Sequence, residues 1–256
     1  MKENKISMEL ICESSAASLQ WGQEVAIIAP AYNEEASIED FVEEWMVVAN
    51  KCGGNLIVLN DGSKDQTLTR LKELSARPKY SRLIVLNKKN SGHGHTCLQA
   101  YKWALAHHYQ WIFQTDSDRQ TRPEEFFTLW EARDANDFLF GNRQVRGDGK
   151  ARWLVSKILR FIIWIIFGTY VIDANVPFRL MRSSCLQALL TKIPEEIFLI
   201  NSYLAILASK NRSHRIRWFS ITFRPRERGE NSINLRRIVK LGVRAIREFY
   251  QLKKIN

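Results

Sequence analysis

Four short apolar runs, each closing on a polar cluster, constrain this chain most. Val25-Ala26-Ile27-Ile28-Ala29 leads into Pro30-Ala31-Tyr32-Asn33-Glu34-Glu35, and Leu56-Ile57-Val58-Leu59 into Asn60-Asp61-Gly62-Ser63. Leu83-Ile84-Val85-Leu86-Asn87 leads into Asn90-Ser91-Gly92-His93-Gly94-His95, and Trp111-Ile112-Phe113 into Asp116-Ser117-Asp118. The runs are rich in β-branched residues, and patterns of helical period follow them at 36–50, 65–76, 94–108 and 123–135. That alternation is the signature of βαβ units and predicts an α/β fold with a mostly parallel sheet flanked by helices. Asp137-Phe138-Leu139-Phe140-Gly141 and the stretch Ile216 to Phe223 read as further strands. In open parallel sheets ligands bind beyond the carboxyl ends of the strands. All four polar clusters fall there.

Asp116 and Asp118 carry the most specific chemistry. Side chains at i, i+2 and i+4 of an extended chain project from one face. Asp116, Asp118 and Gln120 therefore form an alternating oxygen set able to reach one cation. Hard cations such as Mg²⁺ or Mn²⁺ take oxygen ligands, and Mg²⁺ commonly uses one or two carboxylates with substrate phosphates completing its shell. Taken alone, an Asp-x-Asp after a strand is also an ordinary Asx turn. The three companion clusters at neighbouring strand ends favour the metal.

In order and spacing, Pro30-Ala31-Tyr32-Asn33-Glu34, Asn60-Asp61-Gly62-Ser63 and Asp116-Ser117-Asp118 match the motifs of a known enzyme group. Over residues 24–235 the chain resembles the family 2 inverting glycosyltransferases, which have the nucleotide-sugar-binding GT-A fold. Within that family it is similar to dolichyl-phosphate mannose synthase and the polyprenyl-phosphate glycosyltransferases. The branch features are Gln120 with Pro123-Glu124, Asp173 before Phe178-Arg179, and Arg226-Glu227-Arg228-Gly229-Glu230-Asn231-Ser232. The resemblance implies that Pro30, Tyr32 and Glu34 line a base and ribose pocket, with Asp61, Gly92 and Asp116 also on the donor. It implies Asp116, Asp118 and Gln120 as ligands of Mg²⁺ or Mn²⁺. Arg143, Arg179 and Arg226 become catalytic phosphate clamps, joined by Ser232 on the acceptor phosphate; guanidinium suits bidentate phosphate contacts.

The acceptor decides whether a general base is required. A sugar hydroxyl wants a carboxylate base, whereas a phosphate monoester is already anionic at neutral pH. Glu195-Glu196 after Pro194 only partly matches the acidic pair of hydroxyl-acceptor relatives, and Arg217-Trp218 lacks the Gln of processive synthases. The expected reaction is hexose transfer from a nucleotide-diphosphate sugar to a polyprenyl phosphate. Transfer to a glycan hydroxyl in surface polysaccharide or glycolipid synthesis is the alternative, and a non-catalytic membrane- or nucleic-acid-binding protein of the same fold is a second. Val176-Pro177 before Phe178-Arg179, and His93 and His95 in the glycine-rich turn, depart from the family pattern.

Charge is divided unevenly along the chain. The net +11 splits into −5 over residues 1–140, with 15 Lys and Arg against 20 Asp and Glu, and +16 over 141–256, with 23 against 7. The second half is built to meet anions. With no zinc-finger or RNA-binding signature, no nucleic acid is expected, and an anionic membrane surface is the expected partner. The apolar run Phe161 to Phe167 is too short to span a bilayer, which takes about 20 residues. It is either a buried core helix or an interfacial one. Residues 1–23 read as a flexible tail without a signal-peptide core, 24–235 as the catalytic domain, and 236–256 as a basic helix. Cys12, Cys52, Cys97 and Cys185 lack metal-ligand spacing and read as reduced thiols. These features together predict a cytoplasmic protein held peripherally at the membrane.

Overall fold

The computed structural model describes residues 9–11, 24–146, 150–224 and 235–255. The chain divides into two compact units, Met1–Asp118 and Arg119–Asn256, where the sequence predicts one catalytic domain over 24–235.

The first unit holds strands β1 (Glu9–Ile11), β2 (Val25–Ala31), β3 (Asn55–Asn60), β4 (Leu83–Asn87) and β5 (Trp111–Thr115) in the order β1-β4-β3-β2-β5. β2, β3, β4 and β5 run parallel, and every residue of β2, β3 and β5 is buried. Helices on both faces explain why these strands are apolar throughout. β1 pairs antiparallel with the outer edge of β4, so the expected flexible tail contributes an edge strand at Glu9–Ile11. The helices are α1 (Ile38–Cys52), α2 (Thr67–Ser75) and α3 (His93–Ala106). α1 places the fully buried Trp45 5.3 Å from Phe113 of β5. α3 is fixed to the same strand by Tyr101, whose hydroxyl donates to Gln114 Oε1 at 2.8 Å.

From β2 the chain moves outward through β3 to β4, then crosses back to lay β5 on the other side of β2. The strand order therefore reverses between β2 and β5. A crevice opens at such a switch point, because the loops leaving two neighbouring strands turn in opposite directions.

The second unit contains α4 (Phe126–Glu131), β6 (Phe138–Arg146), α5 (Lys150–Phe167), β7 (Phe178–Arg182), α6 (Ser183–Leu190), α7 (Ile200–Lys210), β8 (Ile216–Phe223) and α8 (Leu235–Ile255). β6 pairs antiparallel with β7 and parallel with β8. The helix expected over 123–135 is shorter, with single 3₁₀ turns at Pro123–Glu125 and Arg133–Ala135 flanking α4. The Glu125 carboxylate accepts the Thr222 N–H at 3.0 Å, which ties that first turn to β8. α8 docks through Glu248, a buried carboxylate that accepts the N–H groups of Phe198 and Leu199 just ahead of α7. The Leu199 N–H, at the N-cap of α7, is a donor a helix start leaves without an intrahelical partner. Burial holds the Glu248 pKa above the usual carboxylate value. Among the described residues, no helix is long and apolar enough to cross a membrane.

Asp137 ties three strand ends together. Its carboxylate takes the Arg215 N–H at 3.0 Å and Arg215 Nη2 at 2.8 Å, and lies 3.4 Å from Arg182 Nε. Hydrogen bonding from Arg215 pushes the Asp137 pKa down to about 2. A carboxyl group more acidic in the folded state stabilises it fully above its unfolded pKa, and that contribution is lost as pH falls through the folded one. Asp137→Asn is therefore expected to cost roughly 1–3 kcal/mol at neutral pH. In urea unfolding, the gap between wild type and variant should narrow steadily from about pH 4 towards pH 2. A gap independent of pH would show that the charge is not the source.

Candidate active site

The loops leaving β2, β3, β4 and β5 enclose a cleft of about 370 Å³ in the first unit. It brings together Pro30, Tyr32, Glu34, Asp61, Gly92, Asp116 and Asp118 from the sequence prediction, and adds Ala31, Asn90, His93, Thr96 and Ser117. Parallel registry explains the convergence. Ala31 lies beside Asn60 and Asn60 beside Asn87, so three strands end level with one another. The Asn60 side-chain N–H donates to Asn87 Oδ1 at 2.7 Å across the last rung.

One wall is the turn after β2. Asn33 sits at φ +54°, a left-handed conformation that asparagine tolerates better than most residues. Its N–H donates to Ser63 Oγ at 3.0 Å, and its Oδ1 accepts the Lys64 N–H at 2.9 Å. Next door, the Glu34 N–H donates to Thr67 Oγ1 and the Glu35 N–H to Asp65 Oδ2. This lattice fixes the backbone between Tyr32 and Glu34. Tyr32 stays 42% exposed at the cleft, and an aromatic ring open to solvent there is suited to stacking on a planar base.

The floor is the meeting of the β3 and β4 loops. Gly62, at φ +62°, lies so close to this second loop that a Cβ there would sit 2.7 Å from the Asn90 nitrogen, so glycine is required. Asp61 and Lys88, 27 residues apart and both buried, form an ion pair. Asp61 also accepts the N–H groups of Ser91 and Gly92, each at 2.9 Å. Asp61 therefore lines the cleft while anchoring the glycine-rich turn ahead of α3. Lys88 escapes a motif-based reading. Its one local signal is a lysine directly following a buried strand.

The remaining wall is the loop after β5. The Ser117 hydroxyl donates to the Pro30 carbonyl at 2.8 Å, joining residues 87 positions apart. Asp116 and Asp118 flank this pinned residue. His93 Nε2 lies 3.9 Å from Asp116 Oδ1. The Cys97 sulfur, 3.6 Å away, and then Asp116 and Asp118 hold the His93 pKa above its ordinary value. Among the described residues, no three His, Cys, Asp or Glu side chains gather at one point. The donor set is the two carboxylates, which suits a Mg²⁺-like ion whose other positions go to phosphate and water.

Several predicted residues are placed elsewhere. Gln120 is not a cleft residue: its side-chain amide donates to the Arg224 carbonyl at 3.0 Å, and its own carbonyl accepts the Arg224 N–H at 2.7 Å, so it holds the end of β8. Arg179 is fully buried, with Nε, Nη1 and Nη2 donating to the carbonyls of Val176, Asn201 and Ala174. Its guanidinium is sealed from any phosphate, which corrects the expected clamp. Arg143 is engaged bidentately by Asp173, with Nε and Nη2 each 2.8 Å from a carboxylate oxygen, so its fork is already filled by an anion of the chain itself. Glu195 and Glu196 are exposed in the turn before α7. Arg226 and Ser232 lie outside the described residues.

The sequence profile of Glycosyl transferase family 2 matches residues 26–193. An undecaprenyl-phosphate 4-deoxy-4-formamido-L-arabinose transferase of Edwardsiella ictaluri is 26% identical over 222 residues, covering 86% of this chain and 66% of the relative. A UDP-N-acetylglucosamine–dolichyl-phosphate N-acetylglucosaminyltransferase of Methanococcus voltae is 26% identical over 206 residues, covering 73% of this chain and 81% of the relative. The chain spans between 51% and 66% of the length of the undecaprenyl-phosphate transferases it matches from Edwardsiella and Pectobacterium. Among solved structures, the glucosyl-3-phosphoglycerate synthase of Mycobacterium tuberculosis, crystallised with Mn²⁺, UDP and phosphoglyceric acid, superposes with a TM-score of 0.64. It is 17% identical, over 91% of this chain and 78% of that one, and shares the GT-A-like fold. With a cleft at the switch point of a parallel sheet, paired carboxylates at its edge and a matching profile over most of the first unit and beyond, the chain belongs to glycosyl transferase family 2.

Proposed function

We propose that this chain is a metal-dependent inverting transferase that moves a hexose from a nucleotide-diphosphate sugar to a polyprenyl phosphate, peripherally bound at the cytosolic face of a membrane. The observation that carries the reading is the convergence of Tyr32 and Glu34 with Asp116 and Asp118 on one cleft, an exposed aromatic ring beside a pair of carboxylates. The polyprenyl-phosphate acceptors in the names of the Edwardsiella and Methanococcus relatives support the acceptor class.

In this reading Tyr32 stacks on the nucleobase and Glu34 accepts a hydrogen bond from base or ribose. The Asp61–Lys88 lock holds the Gly92 turn against the donor. When bound, a Mg²⁺ or Mn²⁺ held by Asp116 and Asp118 supplies charge neutralisation for the departing diphosphate. The acceptor phosphate oxygen attacks the anomeric carbon from the face opposite the diphosphate, which leaves as the sugar inverts. A phosphate monoester is anionic at neutral pH, so no side chain has to remove a proton.

The test is transfer from a panel of nucleotide sugars to a polyprenyl phosphate, with Mn²⁺ and with excess EDTA. Glu195→Gln with Glu196→Gln is expected to leave that rate within about threefold of wild type, because proton abstraction by a side chain typically contributes 10²–10⁴-fold only where one is needed. Loss of the rate in this double variant, or turnover with a free glycan and none with the lipid phosphate, would replace the lipid acceptor by a hydroxyl.

A further inference from the structure

Helix α5 has two apolar faces, and the second unit covers one of them. Ile163 and Ile166 are buried, and Phe167 meets Phe249 of α8 edge-on at 5.8 Å between ring centres. On the other face Ile158, Phe161, Trp164 and Ile165 are 49%, 58%, 54% and 59% exposed, and Tyr170 just beyond the helix is 62% exposed. The other large exposed hydrophobics among the described residues are Tyr32, Val47 and Tyr250. The exposure is thus concentrated on one stretch, and contiguous exposed apolar surface marks an interaction site.

The charges around this face select its occupant. Lys157 and Arg160 lie on the same helix, and Arg160 Nη1 donates to the Tyr170 hydroxyl at 3.1 Å. α8, which packs against α5, exposes Arg244, Arg247, Lys253 and Lys254. The one acidic residue in either helix, Glu248, is buried and occupied by the chain ahead of α7. A second copy of the chain would bring two positive faces together. A surface with an apolar interior and an anionic skin suits both features, and aromatic residues beside Lys and Arg are the composition of membrane-interface helices.

We propose that this face of α5 is a lipid-insertion wedge. Phe161, Trp164 and Ile165 enter the boundary between headgroups and acyl chains of an anionic bilayer. Lys157, Arg160 and the exposed bases of α8 meet lipid phosphates. The helix lies in the plane of the surface without crossing it. This deepens the membrane-bound part of the proposed function, but vesicle binding tests it without any assumption about the acceptor.

The experiment is co-sedimentation of the full chain with phosphatidylcholine vesicles, with and without phosphatidylglycerol. Wild type is expected to bind the anionic vesicles, weakening with salt as screening sets in. The triple variant Phe161→Ser, Trp164→Ser, Ile165→Ser should lose roughly tenfold in affinity per residue, the effect of forgoing burial of a large apolar side chain. Its urea midpoint should stay at the wild-type value, because all three positions are exposed. Brominated phosphatidylcholine in the vesicles should quench wild-type tryptophan emission, and Trp164→Phe should keep binding but lose most of that quenching. Equal binding by the triple variant overturns the wedge. So does undiminished quenching in Trp164→Phe, or a wild-type dimer that the triple variant dissolves. A transfer arm separates the two ideas. The triple variant should match wild type on a short, water-soluble prenyl phosphate and fall behind on a vesicle-borne long chain. If wild type transfers to neither, the acceptor reading fails while the vesicle results still judge the wedge.

Discussion

Asp118→Asn is expected to lower the transfer rate by about a thousandfold or more, equivalent to roughly 4 kcal/mol of transition-state stabilisation. The cleft brings two carboxylates together, and if they hold the proposed cation, replacing one with an amide removes a negative charge from its oxygen-donor set. The fold should be unaffected, because Asp118 is a half-exposed loop residue and the neighbouring Ser117 bond to Pro30 is retained. Two measurements check this. The urea midpoint without ligand should match wild type, and the additional thermal stabilisation that Mn²⁺ gives to a bound nucleoside diphosphate should disappear. Ligand that binds only the folded state raises apparent stability by mass action, so this second measurement reads the site without relying on turnover. A variant that transfers at the wild-type rate, or a wild type indifferent to EDTA, would rule out metal-assisted chemistry here.

Lys88→Met is expected to cost about 3–5 kcal/mol of folding stability, since it leaves the Asp61 carboxylate buried without its cation. The pair also positions the cleft floor: Asp61 holds the N–H groups of Ser91 and Gly92, and Asn90 donates from its side chain to the Asp61 carbonyl at 2.8 Å. Losing the cation should therefore weaken nucleotide binding as well. The double variant Asp61→Asn, Lys88→Met removes both charges. It should be less destabilised than the sum of the single variants, with a coupling energy of roughly 2 kcal/mol or more. Strict additivity in urea unfolding would show that the two side chains act independently, and the account of the floor would fail. Lys88→Arg is a useful control, because it keeps the charge while changing its shape.

The limits of legibility follow the same physics. β2, β3, β4 and β5 could be read from the chain because strands covered on both faces need nearly every side chain to be apolar, and that need is written locally. The convergence of the polar clusters could be read because parallel strands of similar length end level, which carries Tyr32, Asp61, Gly92 and Asp116 to one edge. The arginines could not. Arg179 carries no local sign that the carbonyls of Ala174, Val176 and Asn201 converge on it, and Arg143 none that Asp173 fills its fork. Gln120 suits a metal by spacing alone, yet its amide is held by Arg224, 104 residues away.

The sequence by itself therefore determined the parallel α/β architecture, the strand ends where chemistry gathers and the carboxylate pair, because hydrophobic period and motif spacing are short-range properties. Tertiary structure alone decided which polar groups remain open to a substrate and which are consumed inside the protein. It also decided which of the two apolar faces of α5 is buried. Those outcomes depend on partners far away in the chain, such as Lys88 for Asp61, Glu248 for the start of α7 and Phe249 for Phe167, and a hydrogen bond or a packed ring is assigned only when the fold brings its second half within reach.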